Sequence, residues 1–278
     1  MGEVTQFGTD FIFNIHAART RHQVVARENL QISQQVLPQM HVDPVTHSRF
    51  LRLKAVAGPL QVNYDATVDI THRLMATDQI GEVWVANLPG AVLPYLYPSR
   101  YCQSDLLHKF AVAEFGQLQQ GYSRVRAICD WVTSRVKFQS NTSDSFTSAI
   151  DTLNSRVGVC RDFAHLMIAL CRAVNIPARF TTGFDYGADP VLGPPDFHAY
   201  VEVYLGHCWY IFDPSGTAIP MGFVRLGTGR DAADGAFATI FGGVVAQAPH
   251  VHIEPVTNDF GQRVVPVHTD LGVSTDTD

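Results

Sequence analysis

Apolar and polar positions change rhythm once along this chain. As far as about residue 88, short runs alternate apolar and polar side chains: Asn29 to Leu37, Phe50 to Val56, Leu60 to Tyr64, Ala66 to Leu74 and Gly81 to Val85. A period of two in segments rich in β-branched and aromatic residues predicts strands, with turns at Gly58-Pro59 and around Asn63 to Asp65. An antiparallel, sandwich-like module is expected. Leu88-Pro89-Gly90 and Pro94 to Pro98 break the chain, so the expected division is a β-rich N-terminal domain over 1–100 and a second domain over 101–278.

Beyond residue 100 the spacing becomes helical. Asp105 to Leu118 and Tyr122 to Val136 predict two helices, with Ser104 and Ser123 near their starts. A Ser/Thr-rich loop, Ser140 to Ser148, leads to a short helix through Ile150 to Asn154 and a turn at Gly158. From Cys160, apolar residues at 163, 166, 167, 170 and 174 trace one helix face, and Asn175 and Pro177 supply its stop. Cys160 therefore falls in the first turn. An extended run from Ala178 to Tyr186 and a loop from Gly187 to Phe197 follow. His198 to Tyr204 and Cys208 to Asp213 then alternate cleanly about Gly206, a β-hairpin pattern.

Composition narrows the class. The chain has 278 residues, 46% of them apolar and 17% charged, with 20 basic against 26 acidic side chains, values of a folded globular protein. Net charge of −6 with scattered Lys and Arg gives no attraction for a phosphate backbone, so nucleic acid is not an expected partner. No apolar run reaches the roughly 18–20 residues that span a bilayer, so no membrane partner is expected. The start lacks a basic segment followed by an apolar block, and five cysteines without a close CxxC pair make neither a disulfide framework nor a zinc tetrad. These features lead to an expectation of a cytoplasmic protein with free thiols. His207-Cys208 and His250-Val251-His252 offer ligand atoms but no complete metal set, and no cofactor is implied.

One thiol is placed differently from the rest. The amide end of a helix favours an ionised sulfur at Cys160, whereas Cys129 and Cys171 fall on apolar helix faces and read as packing. On the hairpin, a two-residue loop at Gly206-His207 sets His198 opposite Ser215 and diagonal to Asp213. A loop at Leu205-Gly206 instead sets His198 directly opposite Asp213, and only an unbulged three-residue loop would separate them. Asp213 can then orient the His198 ring. Glu202 lies about 13 Å along the same strand, too far to do so. His165, about 140° round the helix from Cys160, reads as a packed or surface histidine.

A nucleophile at a helix start followed by a hairpin bearing His and then Asp suits thiolate acyl transfer. Three blocks in this order resemble the transglutaminase-like superfamily, in particular bacterial transglutaminase-like cysteine peptidases: Gly158 to His165, Asp196 to Tyr204 and Trp209 to Gly216. Pro98 to Asp105 and Gly229 to Asp234 resemble further blocks of that family. Tyr200 departs from a frequent Trp, and Ser215-Gly216 from a frequent Thr. The resemblance implies an α+β fold, a β-rich N-terminal domain followed by a papain-like core whose catalytic Cys sits on a helix packed against an antiparallel sheet. It implies the triad Cys160, His198 and Asp213, a thioester intermediate and a peptide or protein substrate. Hydrolysis of peptide or isopeptide amides is the leading expectation, with acyl transfer to an amine or a non-catalytic binding scaffold as alternatives. The resemblance implies that Arg230 and Asp231 border the cleft, but a solvated ion pair is the favoured expectation, and the tail beyond Val267 is expected to be mobile.

Overall fold

The computed structural model describes residues 2–186, 197–257, 261–263 and 265–276. The loop expected from Gly187 onward therefore lies, up to residue 196, outside the described residues. The N-terminal region comprises β1 (Gly2–Phe13), β2 (Gln23–Ile32), β3 (Gln39–Val42), β4 (Arg49–Ala55), β5 (Gly58–Leu60), β6 (Val62–Ile70) and β7 (Arg73–Met75). β4 shows the alternation at its clearest, burying Leu51, Leu53 and Ala55 while Arg52 and Lys54 point outward. Those residues join Val4, Phe11 and Leu60 in a core covered from the two-stranded β2–β6 ribbon by Leu30, Ile32 and Val62.

Three local expectations fail here. The turn expected around Asn63 to Asp65 lies inside the unbroken strand β6, where these residues pair with Gln31, Leu30 and Asn29 of β2. β1, the longest strand, was not predicted, because its register shifts between Val4 and Thr9, where Gly8 takes a φ of 76°, and the shift interrupts the alternation. Gly81 to Val85 forms no strand. Backbone groups in this stretch bind single partners instead: Ile80 C=O accepts Tyr122 N–H at 2.9 Å and Gly81 C=O accepts Gly206 N–H at 2.8 Å.

The second region holds α1 (Ser104–Phe115), α2 (Tyr122–Arg135), β8 (Lys137–Phe138), α3 (Ala149–Ser155), β9 (Val157–Gly158), α4 (Cys160–Ala173), β10 (Ala178–Asp185), β11 (Phe197–Leu205), β12 (Cys208–Phe212), β13 (Phe223–Gly229), β14 (Ala238–Ala246) and β15 (Gly272–Ser274). Its antiparallel sheet runs β12-β11-β10-β13. α4 is the central element: every residue from Asp162 to Ala173 is buried. Phe163, Leu166, Met167 and Leu170 share one core with Val125, Ile128 and Val132 of α2 and with Val201 and Val203 of β11. Each such side chain contributes about 1.5–3 kcal/mol on burial, so α4 is held by tertiary packing far more than by helix propensity. β14 leaves this region and pairs with β1, so sheet hydrogen bonds cross a division drawn near residue 100.

The expected mobile tail is corrected by the structure. Gly272–Ser274 is a buried strand paired with β7, and Asp276 forms ion pairs with Arg179 and Arg225. Its anchors are charged and lie far away in sequence, so a composition reading cannot see them.

Candidate active site

The thiol is set at its position by backbone geometry. A Cβ at Gly158 would stand 2.7 Å from the Asp162 Cβ, so only glycine allows the chain to close this tightly onto the first turn of α4. The fully buried Asp162 accepts the Val159 N–H at 2.9 Å and the Ser143 hydroxyl at 2.8 Å, which caps the helix and pins the Ser/Thr-rich loop beside it. Parallel pairing of β8 with β9 brings that loop to the same place. Cys160 is the first residue of α4, where backbone N–H groups have no intrahelical partner. Of the five cysteines it alone is not buried. Burial pushes the Cys102 and Cys129 thiols up to about 12 and raises Cys171 further, so these are packing groups, as expected of Cys129 and Cys171.

The hairpin settles which register holds. Gly206 and His207 both have positive φ, 51° and 62°, and Leu205 pairs with Cys208, so the loop has two residues. His198 is thereby diagonal to Asp213, and its Nε2 lies 3.3 Å from Asp213 Oδ1, an ion-pair contact rather than an aligned hydrogen bond. The Cys160 sulfur is the second group that acts on the ring. Burial opposes a charged ring, but the Asp213 carboxylate and then the Cys160 sulfur hold the His198 pKa well above the ordinary histidine value. Burial likewise works against an ionised Asp213. His198, the Ser215 hydroxyl at 2.6 Å and the Ala218 N–H at 2.9 Å outweigh it and hold that carboxyl below its usual range. The Asp213 carboxylate at 3.3 Å and the Cys160 sulfur both act on the His198 ring.

Other expectations resolve as structure. Glu202 is fully buried between Arg179 and Arg225, away from the imidazole. His165 is completely buried, stacks on Tyr101 at 5.0 Å and accepts the Ala232 N–H at 3.1 Å. Burial, reinforced by Arg161 and Arg172, lowers its pKa well below the usual value. The expected Arg230–Asp231 pair does not form. Arg230 pairs with Asp234 at 2.8 Å, while the buried Asp231 accepts the Tyr101 N–H at 2.9 Å and closes the domain junction onto the core. Two residues were missed. Arg172 donates from inside α4 to the carbonyls of Ala178, Tyr97 and Arg230, and its only sequence signal was a charge in a helix that is otherwise largely apolar. Asp185, at the end of β10, gave no signal beyond its position before a loop.

A helix-borne thiol facing an imidazole and a carboxylate on an antiparallel sheet is the arrangement of the papain-like class of folds. Comparison with known proteins gives the family. Residues 110–214 match the transglutaminase-like superfamily core, and residues 3–91 match the bacterial transglutaminase N-terminal domain. A crystal structure named "Putative Cysteine Protease", from Cytophaga hutchinsonii, is 42% identical and superposes with a TM-score of 0.89 over 99% of this chain and 94% of that one. An uncharacterized protein of Mycobacterium leprae is 32% identical over 115 residues, 40% of this chain and 41% of its own length. One of Mycobacterium tuberculosis is 25% identical over 142 residues, 47% of this chain and 45% of its own. The matched stretch thus spans less than half the length of these curated relatives. The chain belongs to the transglutaminase-like superfamily. Among the described residues no helix is long and apolar enough to cross a membrane.

Proposed function

We propose that this chain is a thiol hydrolase that cleaves peptide or isopeptide amides with Cys160 as nucleophile, His198 as acid and base, and Asp213 as the residue that orients His198. The observation that carries the reading is the His198 imidazole, acted on by both the Cys160 sulfur and the Asp213 carboxylate. The thiolate sulfur forms a bond to the amide carbonyl carbon. The C–N bond then breaks as His198 passes its proton to the leaving amine. Water attacks the thioester, returns a proton to His198 and releases the thiolate. The Cys160 N–H, at the start of α4, is placed to donate to the developing oxyanion. The "Cysteine Protease" name of the Cytophaga hutchinsonii neighbour supports hydrolysis over transfer to an amine. Five unpaired thiols support a reducing, cytoplasmic setting.

Active-site titration tests this reading. A peptidyl vinyl sulfone is expected to give one adduct, located by mass on Cys160, and His198→Ala is expected to slow its formation at least about tenfold. Adducts spread over several cysteines, or an unchanged rate in the His198 variant, would overturn it. Incubating a glutamine-containing peptide with and without a primary amine then reads the acceptor from product mass. The hydrolysed product is expected in both.

A further inference from the structure

Asp185 is 5% exposed, and neither of its carboxylate oxygens has a hydrogen-bond partner among the described residues. Strand pairing places it. Gly183 of β10 is paired with His198 of β11, so Asp185, two residues on, occupies the same sheet face on the diagonal from the imidazole. β11 runs between β12 and β10, so His198 receives Asp213 from the chain leaving one neighbouring strand and Asp185 from the other.

The charges around Asp185 are few. His198 faces it from β11 and Asp213 from beyond β12, while β13 presents the uncharged Phe223 directly opposite. Arg225, next along that face of β13, is committed to Glu202 and Asp276. Burial above all, with the nearby Asp213 charge, pushes Asp185 up to about 7 against the pull of His198. A buried carboxyl without hydrogen bonds costs stability, and among the described residues none is held by a hydrogen bond to this one. The group it can act on is the imidazole.

Resting on the triad reading above, we propose that Asp185 is a positioning residue of the site: a second carboxylate that, across the ring from Asp213, holds His198 in its protonated form beside Cys160. Its charge appears as pH rises through neutrality, in the range where an imidazolium is otherwise lost. It thereby extends the thiolate–imidazolium pair toward alkaline pH.

The test is a nitrogen-15 NMR titration of histidine-labelled protein, with His198→Gln used to assign the resonance. In the wild type, His198 is expected to remain protonated well above the ordinary histidine value. In Asp185→Asn its proton affinity is expected to fall at least about threefold, the effect of one unit charge roughly 7 Å away in a water-like dielectric. Asp185→Asn removes no hydrogen bond, and Asp185→Ser, a second uncharged variant, is expected to give the same displacement. A His198 curve unchanged in both variants would overturn this proposal and leave the triad standing. A wild-type His198 that titrates as a free histidine would overturn the triad reading itself.

Discussion

His198 and Asp185, on one sheet face, both lose their contribution to stability as pH rises, but the substitutions that remove them shift the melting temperature in opposite directions. The His198 pKa is raised in the folded protein, so His198 contributes stability that is fully present below about 6.5 and is lost as pH rises through its folded value. Replacing it by Gln is expected to lower the melting temperature at about pH 6, and the deficit is expected to shrink toward about pH 9. Asp185 is raised from 3.8 to about 7, so the folded state binds its proton more tightly than the unfolded state does. Its contribution is favourable below its unfolded value and is lost as pH climbs to neutrality. Asp185→Asn is therefore expected to melt higher than wild type at about pH 8, by about 2–4 °C for each kcal/mol gained, and to lose that advantage near about pH 4. Melting curves at the two pH values check both signs, and an advantage for Asn that is independent of pH would refute the linkage.

At the scale of elements, the site stands where two local patterns end. α4 could be read from sequence because its apolar positions repeat at helical spacing and Asn175, with a φ of 64°, stops it. The hairpin could be read because β11 and β12 alternate about Gly206. What could not be read was the register, since one added loop residue would have turned His198 away from Asp213. The positive φ of His207 decides that point, and nothing in its residue type announces it. Asp185 was invisible for a different reason: its burial and its neighbours come from adjacent strands, not from its own segment. The same logic gives Gly158 a measurable role. A methyl group there meets the Asp162 Cβ at 2.7 Å, so Gly158→Ala is expected to cost about 1–3 kcal/mol and to displace the start of α4. Chemical denaturation together with a Cys160 alkylation rate tests it, since a change that lowers stability without slowing alkylation would separate the glycine from the thiol.

For the molecule as a whole, the last described strand works as a strap across the β12-β11-β10-β13 sheet. Arg179 of β10 and Arg225 of β13 each bind both Glu202 of β11 and Asp276, so a residue near the end of the chain completes a charge cluster that ties three strands together. Burial alone would raise Asp276, but the two guanidinium groups hold its pKa far below the usual carboxylate value. Ser274 reaches the edge strand β12 as well, its hydroxyl accepting the Cys208 thiol at 3.1 Å. Without the strap, two buried arginines would share one carboxylate, and Cys208 and Trp209 would lose their cover. Breaking a buried pair costs about 3–5 kcal/mol, and the partial exposure of Asp276 places Asp276→Asn nearer about 2 kcal/mol. Ending the chain after residue 270 is expected to cost more, and to add a second thiol, Cys208, to those that react with a disulfide reagent under native conditions. Counting reactive thiols in the full and shortened chains tests the idea. A shortened chain that keeps its melting temperature and its single reactive cysteine would show that β10, β11 and β13 hold the site without the strap.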